Sequence, residues 1–180
     1  MKIWLTGMLC AIFASACAPA VPMEIETPAQ ITIFDLEKKP VAVAIPLTEN
    51  FLVAAESGPE DFFWNEQVLE IAAKFLSQKI IFFHAPTVLE KIPNFASHPP
   101  VVGNEVFWMS HGAHQSGKVL RVENKRFVVS GVTSAIESGL PIFGDSGKIF
   151  GVVIGSSPVA AEIFVVRSDA IVEFFEENVR

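Results

Sequence analysis

Short runs of apolar and β-branched residues, separated by turn residues, recur along this 180-residue chain and constrain its fold more than any other feature. Pro and Gly fall mainly between the runs, where turns require them. This pattern predicts an all-β barrel or sandwich. The predicted strands cover residues 31–34, 41–46, 51–55, 68–73, 79–84, 106–109, 119–122, 127–132, 141–143, 149–154 and 162–166.

The C-terminal segment departs from this pattern and predicts one helix. Ser168 is placed to cap the helix, and Asp169 favours its positive N-terminal end. The apolar residues that follow have helical spacing: Ile171, Val172, Phe174, Phe175 and Val179. A stretch rich in Pro and His at 93–100 divides the rest into two β-rich halves of similar length.

Composition narrows the possible functions. Hydrophobic residues make up 51% of the chain, which is enough for a large buried core. The net charge of −7 argues against nucleic-acid binding, since neutralising phosphates requires a basic face. Cys10 and Cys17 are the two cysteines, so the body that follows has no disulfide, thiol nucleophile or cysteine metal site.

The first 17 residues have the pattern of an export signal. A basic start, an apolar run at 3–13 and small residues lead to Cys17, and the run is shorter than the ~20 residues of a membrane span. This ending is similar to a bacterial lipoprotein signal and predicts lipidation of Cys17; ordinary cleavage near Ala16 or Ala18 is the alternative. Residues 18–28 then form a Pro-containing tether. We expect a lipoprotein of the bacterial cell envelope on the periplasmic side, or otherwise a periplasmic or secreted protein.

The most informative stretch runs from Ser138 to Val153, with the sequence SGLPIFGDSGKIFGVV. It resembles the nucleophile segment of chymotrypsin-like (trypsin-like) serine proteases, in which Ser-Gly-x-Pro leads into a strand, a turn ending in Gly and a second strand carrying Gly-Val. The match places Ser138 at the nucleophile, Gly139 in its turn, and Gly147 and Gly151 at the hairpin glycines. The resemblance implies two antiparallel six-stranded β-barrels with the catalytic groups at their junction.

Three further segments fit the same family in order. FLVAAES, at 51–57, is similar to the family's Ile-Leu-Thr-Ala-Ala-His-Cys, and KIIFF, at 79–83, is similar to its Asp-Leu-Ala-Leu-Leu strand. Residues 161–175 are similar to its last strand and terminal helix. The implied domains are an N-terminal barrel at 29–93, a linker at 94–104, and a C-terminal barrel with the helix at 105–180.

The resemblance also shows which catalytic positions differ. Glu56 stands at the family's His position and Lys79 at its Asp position, so only Ser138 keeps its type. A serine hydroxyl needs a neighbouring base, and a carboxylate of pKa near ~4.3 is a weaker base than an imidazole near ~6.5. Ile136 replaces a Gly that the family commonly uses at the oxyanion hole, where losing a donor costs about 10²–10³ in rate. These changes predict an inactive protease homologue.

Other interpretations of these residues stay open. Glu56 and Lys79 are either independent solvated charges or an ion pair at the barrel junction. A Ser138–Lys79 dyad would supply a different base, and Ser138 could equally be a small turn residue without a catalytic role. Residues 144–147 spell the Gly-Asp-Ser-Gly of trypsin's nucleophile loop. A strand follows at once, so we interpret this segment as a hairpin turn rather than Ser146 as a nucleophile.

The histidines and aromatic residues have simpler interpretations. His111 and His114 lie on a Gly-containing loop with no carboxylate nearby in sequence, so we predict surface histidines and no metal or cofactor. His84 faces away from Lys79 on a regular strand and is not a substitute base. Residues 62–64, Phe-Phe-Trp, are predicted to pack in the core, with an exposed contact site as the alternative.

Three functions from different classes fit this sequence. The first is a module that binds an extended peptide or protein by adding it to the edge of the strand at 151–157. In it, Val132 lies near the base of an apolar side-chain pocket. The second is an active serine endopeptidase with a non-standard site centred on Ser138, and the third is a structural envelope protein without a cleft. The predicted binding residues are Val132, Ile136, Gly139, Gly151, Ile154 and Gly155.

Overall fold

A computed structural model describes residues 30–56, 61–133 and 137–180 of the chain. The predicted export signal with Cys17, the tether at 18–28 and the oxyanion-hole position Ile136 lie outside these residues. Within them the protein consists of two β-sheets followed by one C-terminal helix.

The N-terminal half forms a seven-stranded antiparallel sheet in the order β5-β4-β1-β2-β3-β7-β6. A 3-10 helix at Leu76–Gln78 separates its last two strands. Its strands are β1 (Ile31–Phe34), β2 (Pro40–Thr48), β3 (Phe51–Ala55), β4 (Phe63–Trp64), β5 (Gln67–Val68), β6 (Ile71–Phe75) and β7 (Ile80–His84).

The C-terminal half is a closed six-stranded antiparallel barrel in the order β10-β13-β12-β11-β8-β9. Pairing of β9 with β10 closes the ring, and β12 extends beyond the part that pairs with β11. Its strands are β8 (Glu105–Ser110), β9 (Ala113–Val122), β10 (Arg126–Ser130), β11 (Pro141–Phe143), β12 (Ile149–Ser157) and β13 (Glu162–Arg167).

The predicted all-β architecture of the chymotrypsin type is confirmed, with one difference in the first half. The run predicted as a single strand at 68–73 is divided between β5 and β6, because Leu69 turns into the core and donates its N–H to the Phe62 carbonyl at 2.8 Å. Phe63 and Trp64 form the short strand β4, which the sequence did not predict. The first half is therefore an open seven-stranded sheet instead of a six-stranded barrel.

One hydrophobic cluster joins the two halves. It combines side chains of the first sheet with side chains of the barrel and of the helix α1 (Ser168–Asn178). Phe174 stacks on Phe75 with ring centroids 4.2 Å apart, and Phe175 meets Phe51 edge-on at 5.0 Å. The helix that ends the chain therefore packs on the first sheet and holds the halves in a fixed relation.

The start of the helix differs from the prediction. Arg167 is the N-cap residue, and no side chain caps the helix. Ser168 is the first helical residue, and its buried hydroxyl donates instead to the Ala96 carbonyl at 2.7 Å. The expectation that Ser168 caps the helix is therefore wrong, whereas Asp169 does lie in the first turn. Among the described residues, no helix has both the length and the hydropathy needed to cross a bilayer.

Candidate functional site

The turn at 137–140 lies between the two halves of the protein. The Ser138 carbonyl accepts a hydrogen bond from the Val43 N–H in β2 at 3.0 Å. Gly139 donates its N–H to the Val153 carbonyl in β12 at 2.7 Å, and Val153 donates to the Leu140 carbonyl at 2.9 Å. Ser138 is therefore fixed at the junction of sheet and barrel by backbone bonds to both.

Gly139 makes this close approach possible. Its φ of +98° favours glycine, and a Cβ at this position would lie 1.7 Å from the Val43 carbonyl oxygen. Any other residue would push the turn away from β2. Glycine at this position is therefore a steric requirement of the junction.

Glu56 directly follows β3 and Lys79 directly precedes β7, so the two residues lie opposite one another at the ends of paired strands. The register of β3 and β7 pairs Ala55 with Ile80, and the Glu56 N–H donates to the Lys79 carbonyl at 2.8 Å. Lys79 has a φ of +57° because it ends the 3-10 helix in the left-handed conformation, and its side chain is exposed. The two charges therefore begin from adjacent backbone positions.

The strand order brings Ser138 to the same place. Since β2 and β3 pair Ala44 with Ala54, the next residues outward are Val43 and Ala55, beside Glu56. Neighbouring strands are about 4.8 Å apart, so β2 and β7 are separated by about 10 Å across β3. The backbones of the three positions thus converge at one end of the first sheet, facing the barrel.

The side chains at these positions do not form a proton relay. Throughout the described ranges, neither Glu56 nor Lys79 takes part in a salt bridge, and the Ser138 hydroxyl has no hydrogen-bond partner. The ion pair considered from the sequence is therefore not formed. Without a neighbouring acceptor, a serine hydroxyl is a poor nucleophile.

A buried carboxylate beside Ser138 escaped the sequence analysis. The Glu137 side chain is 8% exposed, and its Oε1 lies 3.1 Å from Nε2 of His111. The Ser110 hydroxyl donates to the same oxygen. His111 is 73% exposed, as predicted for a surface histidine, yet it has a specific acidic partner 26 residues further along the chain. No local sequence pattern signals this contact, because an acidic residue in a turn is normally solvated.

The competing candidates lie elsewhere. The Gly144–Gly147 segment is the hairpin turn between β11 and β12, closed by a Gly147 N–H bond to the Gly144 carbonyl at 3.0 Å. Ser146 therefore lies in that turn. His84 pairs with Phe51 at the opposite end of β3 and β7 from Glu56. No group of three His, Cys, Asp or Glu side chains in the described ranges is placed to hold a metal ion.

The predicted binding residues of β12 fall into two groups. Gly151 is buried, and a Cβ there would lie 2.1 Å from the Val166 carbonyl oxygen, so its small size serves packing inside the barrel. Beyond Val153, β12 keeps its partner β13 but has no strand on its other edge within the described chain. Ile154 and Gly155 lie on this open edge, and nothing lies within 4 Å of a Cβ built at Gly155.

Val132 has a more open environment than expected. It is 49% exposed in the segment after β10, whereas we predicted it near the base of a side-chain pocket. The Ser156 hydroxyl donates to the Thr133 carbonyl at 2.7 Å, which ties this segment to the end of β12. The segment after β10 therefore lies beside the end of β12.

Comparisons with known proteins agree with this architecture. No protein-family model and no curated protein matches the sequence. The serine endoprotease from Yersinia pestis superposes with a TM-score of 0.71 at 10% identity, over 85% of this chain and 63% of that chain. The Rv3671c protease from M. tuberculosis, in its active form, superposes with a TM-score of 0.63 at 12% identity, over 84% of this chain and 81% of that chain. The MamO protease domain from Magnetospirillum magneticum superposes with a TM-score of 0.64 at 18% identity, over 82% of this chain and 95% of that chain.

The chain has the chymotrypsin-like serine protease fold. The identities are far too low to carry a function across, so these neighbours define architecture alone. Within this fold, the turn that holds Ser138 lies where the two halves meet, and residues 56 and 79 are Glu and Lys.

Proposed function

We propose that this protein is an exported trypsin-like serine protease homologue that has lost catalysis and binds an extended peptide or protein segment at the cell envelope. One observation carries the proposal: Ser138 keeps a tightly fixed turn at the junction, while its hydroxyl has no acceptor among the described residues. The frame of a serine protease site is therefore retained without the group that would activate its serine.

Peptide binding is supported by the open edge of β12. Val153 is the last residue of β12 that bonds to the Ser138 turn, and from Ile154 onward no described strand pairs with this edge. A peptide added to this edge would gain main-chain hydrogen bonds and would run directly past Ser138. Its side chains would lie near Val132, which is 49% exposed in the segment that the Thr133 carbonyl ties to Ser156. This mode of binding uses main-chain hydrogen bonds, so neither the loss of catalysis nor the presence of Glu56 and Lys79 would impair it.

The cell-envelope location rests on the N-terminal sequence. Small residues followed by Cys17 predict a lipid anchor, and the tether at 18–28 would separate the folded body from the membrane. In a bacterial host fed radiolabelled palmitate, we expect incorporation that is lost in Cys17→Ser and kept in the matched control Cys10→Ser. No incorporation by the wild type would leave signal-peptidase cleavage and release as the better account, and equal incorporation by all three chains would place the label on a residue other than Cys17.

Loss of catalysis is tested with a fluorophosphonate probe on the purified chain. An activated serine is phosphonylated stably, so we expect no labelling of the wild type above the level of Ser138→Ala. Ser146→Ala is the matched control for nonspecific attack on an exposed serine. Labelling of Ser138 that disappears in Ser138→Ala but persists in Ser146→Ala would instead support an active endopeptidase with a non-standard site. That second function is favoured only by the intact geometry of the turn.

A further inference from the structure

The turn that carries Ser138 is attached to a third element besides β2 and β12. Glu137 reaches across to the tight turn between β8 and β9, where Ser110 and His111 both contact its Oε1. That turn has the left-handed φ angles of a two-residue hairpin, +49° at His111 and +76° at Gly112. The imidazole and the Ser110 hydroxyl meet at one carboxylate oxygen, so the two turns are joined through Glu137.

We propose that Glu137, Ser110 and His111 form a pH-dependent clamp that sets how firmly the Ser138 turn is held. Glu137 is a positioning residue, since it acts on the groove through the backbone of Ser138 and Gly139. When His111 is protonated, its Nε2 always carries a donor hydrogen, and the bond to the carboxylate becomes charge-assisted. When the imidazole is neutral, that bond is weaker or the proton sits on the other nitrogen.

The direction of the effect follows from the two groups. A protonated imidazole can only donate to the carboxylate, so the clamp strengthens toward lower pH. Because the Glu137 side chain is 8% exposed, the contact is screened less by water than a surface pair would be.

The described elements around this contact carry few ionisable side chains. A cavity of about 600 Å³ adjoins the clamp, and of the described residues that line it, Glu137 and His111 are the ionisable ones. Strands β1, β2 and β12 contain no ionisable side chains. On the hairpin itself the nearest titratable group is His114, which pairs with Met109.

The proposal is tested by amide hydrogen exchange of the purified chain between pH 5.5 and 8, after correction for the intrinsic exchange rate. The informative amides are those of Gly139 and Val43, which bond the turn to β12 and β2. A charge-assisted bond is about twice as strong as a neutral one, so we expect protection of both amides to rise about three- to tenfold toward pH 5.5. The Val128 amide, in the distant strand β10, serves as the internal reference.

Substitutions separate the clamp from general stability. His111→Gln keeps a donor without a charge on an exposed side chain, so the protein should fold and the pH dependence should vanish. The matched control His114→Gln should keep the pH dependence of amide protection. Ser110→Ala should lower protection at every pH, and Ser110→Thr should restore it by returning the hydroxyl. An unchanged pH profile in His111→Gln, or a flat profile in the wild type, overturns the proposal.

This inference concerns regulation of the groove and rests on the proposed function for its role. The two can nevertheless fail separately, because amide exchange reports how firmly the turn is held and phosphonylation reports the reactivity of Ser138. A reactive serine in a pH-sensitive turn would refute only the loss of catalysis. An unreactive serine in a turn without pH dependence would refute only the clamp.

Discussion

Replacing Gly139 with Ala should break the junction that positions Ser138. A new Cβ would lie 1.7 Å from the Val43 carbonyl oxygen, so the turn must withdraw from β2. The left-handed backbone costs about 1–2 kcal/mol for a residue with a side chain. Withdrawal also weakens the Val43–Ser138 and Gly139–Val153 hydrogen bonds, each contributing about 0.5–1.5 kcal/mol. The combined loss of unfolding free energy is about 2–5 kcal/mol.

Gly147→Ala is the matched control for this substitution. Gly147 also has a left-handed φ, +73°, but nothing lies within 4 Å of a Cβ built there. Only the backbone cost of about 1–2 kcal/mol should remain. Urea unfolding with linear extrapolation measures both free energies. If the two variants are destabilised equally, the contact between the Ser138 turn and β2 does not have the structural role assigned to it here.

Further predictions concern the packing and charges of the two halves. Phe174→Ala should lower the unfolding free energy by about 2 kcal/mol, because Phe174 stacks on Phe75. The loss is smaller than for a fully buried Phe, since Phe174 is only partly buried. Thermal denaturation tests this, with Glu177→Ala as the control. Ser168→Ala should cost about 1 kcal/mol in urea unfolding, since it removes the bond to the Ala96 carbonyl, and no loss would show that water replaces the hydroxyl. The hydrogen bond from Arg121 lowers the pKa of Glu162 below its usual value of 4.5. The pair therefore stabilises the fold fully above pH 4.5, and this stabilisation is lost as the pH falls through the lowered pKa of the folded state. The stability curves of the wild type and Glu162→Gln should therefore converge in acid, and a constant difference down to pH 2 would contradict this.

Much of the fold follows from local sequence pattern. The strands at Ile31–Phe34, Phe51–Ala55 and Pro141–Phe143 have the predicted bounds, because turn residues flank compact apolar runs. The β4–β5 hairpin was not predicted. Its strands have two residues each, and its turn relies on Asn65 and Glu66 both adopting positive φ. Strands this short carry too little periodicity to be recognised.

The features of the helix start and of the candidate site that the sequence did not predict depend on contacts between residues far apart in the chain. Ser168 has the residue type of a helix cap, but the Ala96 carbonyl, 72 positions earlier in the chain, takes its hydroxyl instead. The burial of Glu137 depends in the same way on Ser110 and His111 from another hairpin. Residue propensity and spacing describe neighbours along the chain, so they do not predict tertiary partners of this kind.

Restoring the two replaced positions tests the central claim most directly. The claim is that Glu56 and Lys79 occupy the places of the proton-handling pair beside a correctly held Ser138. In the double variant Glu56→His/Lys79→Asp, a general base is returned next to the serine, which is worth about 10²–10⁴ in rate. We therefore predict that the fluorophosphonate labelling rate of Ser138 rises at least about 100-fold over the wild type. Equal labelling rates in the two proteins, whether both slow or both fast, would contradict the claim.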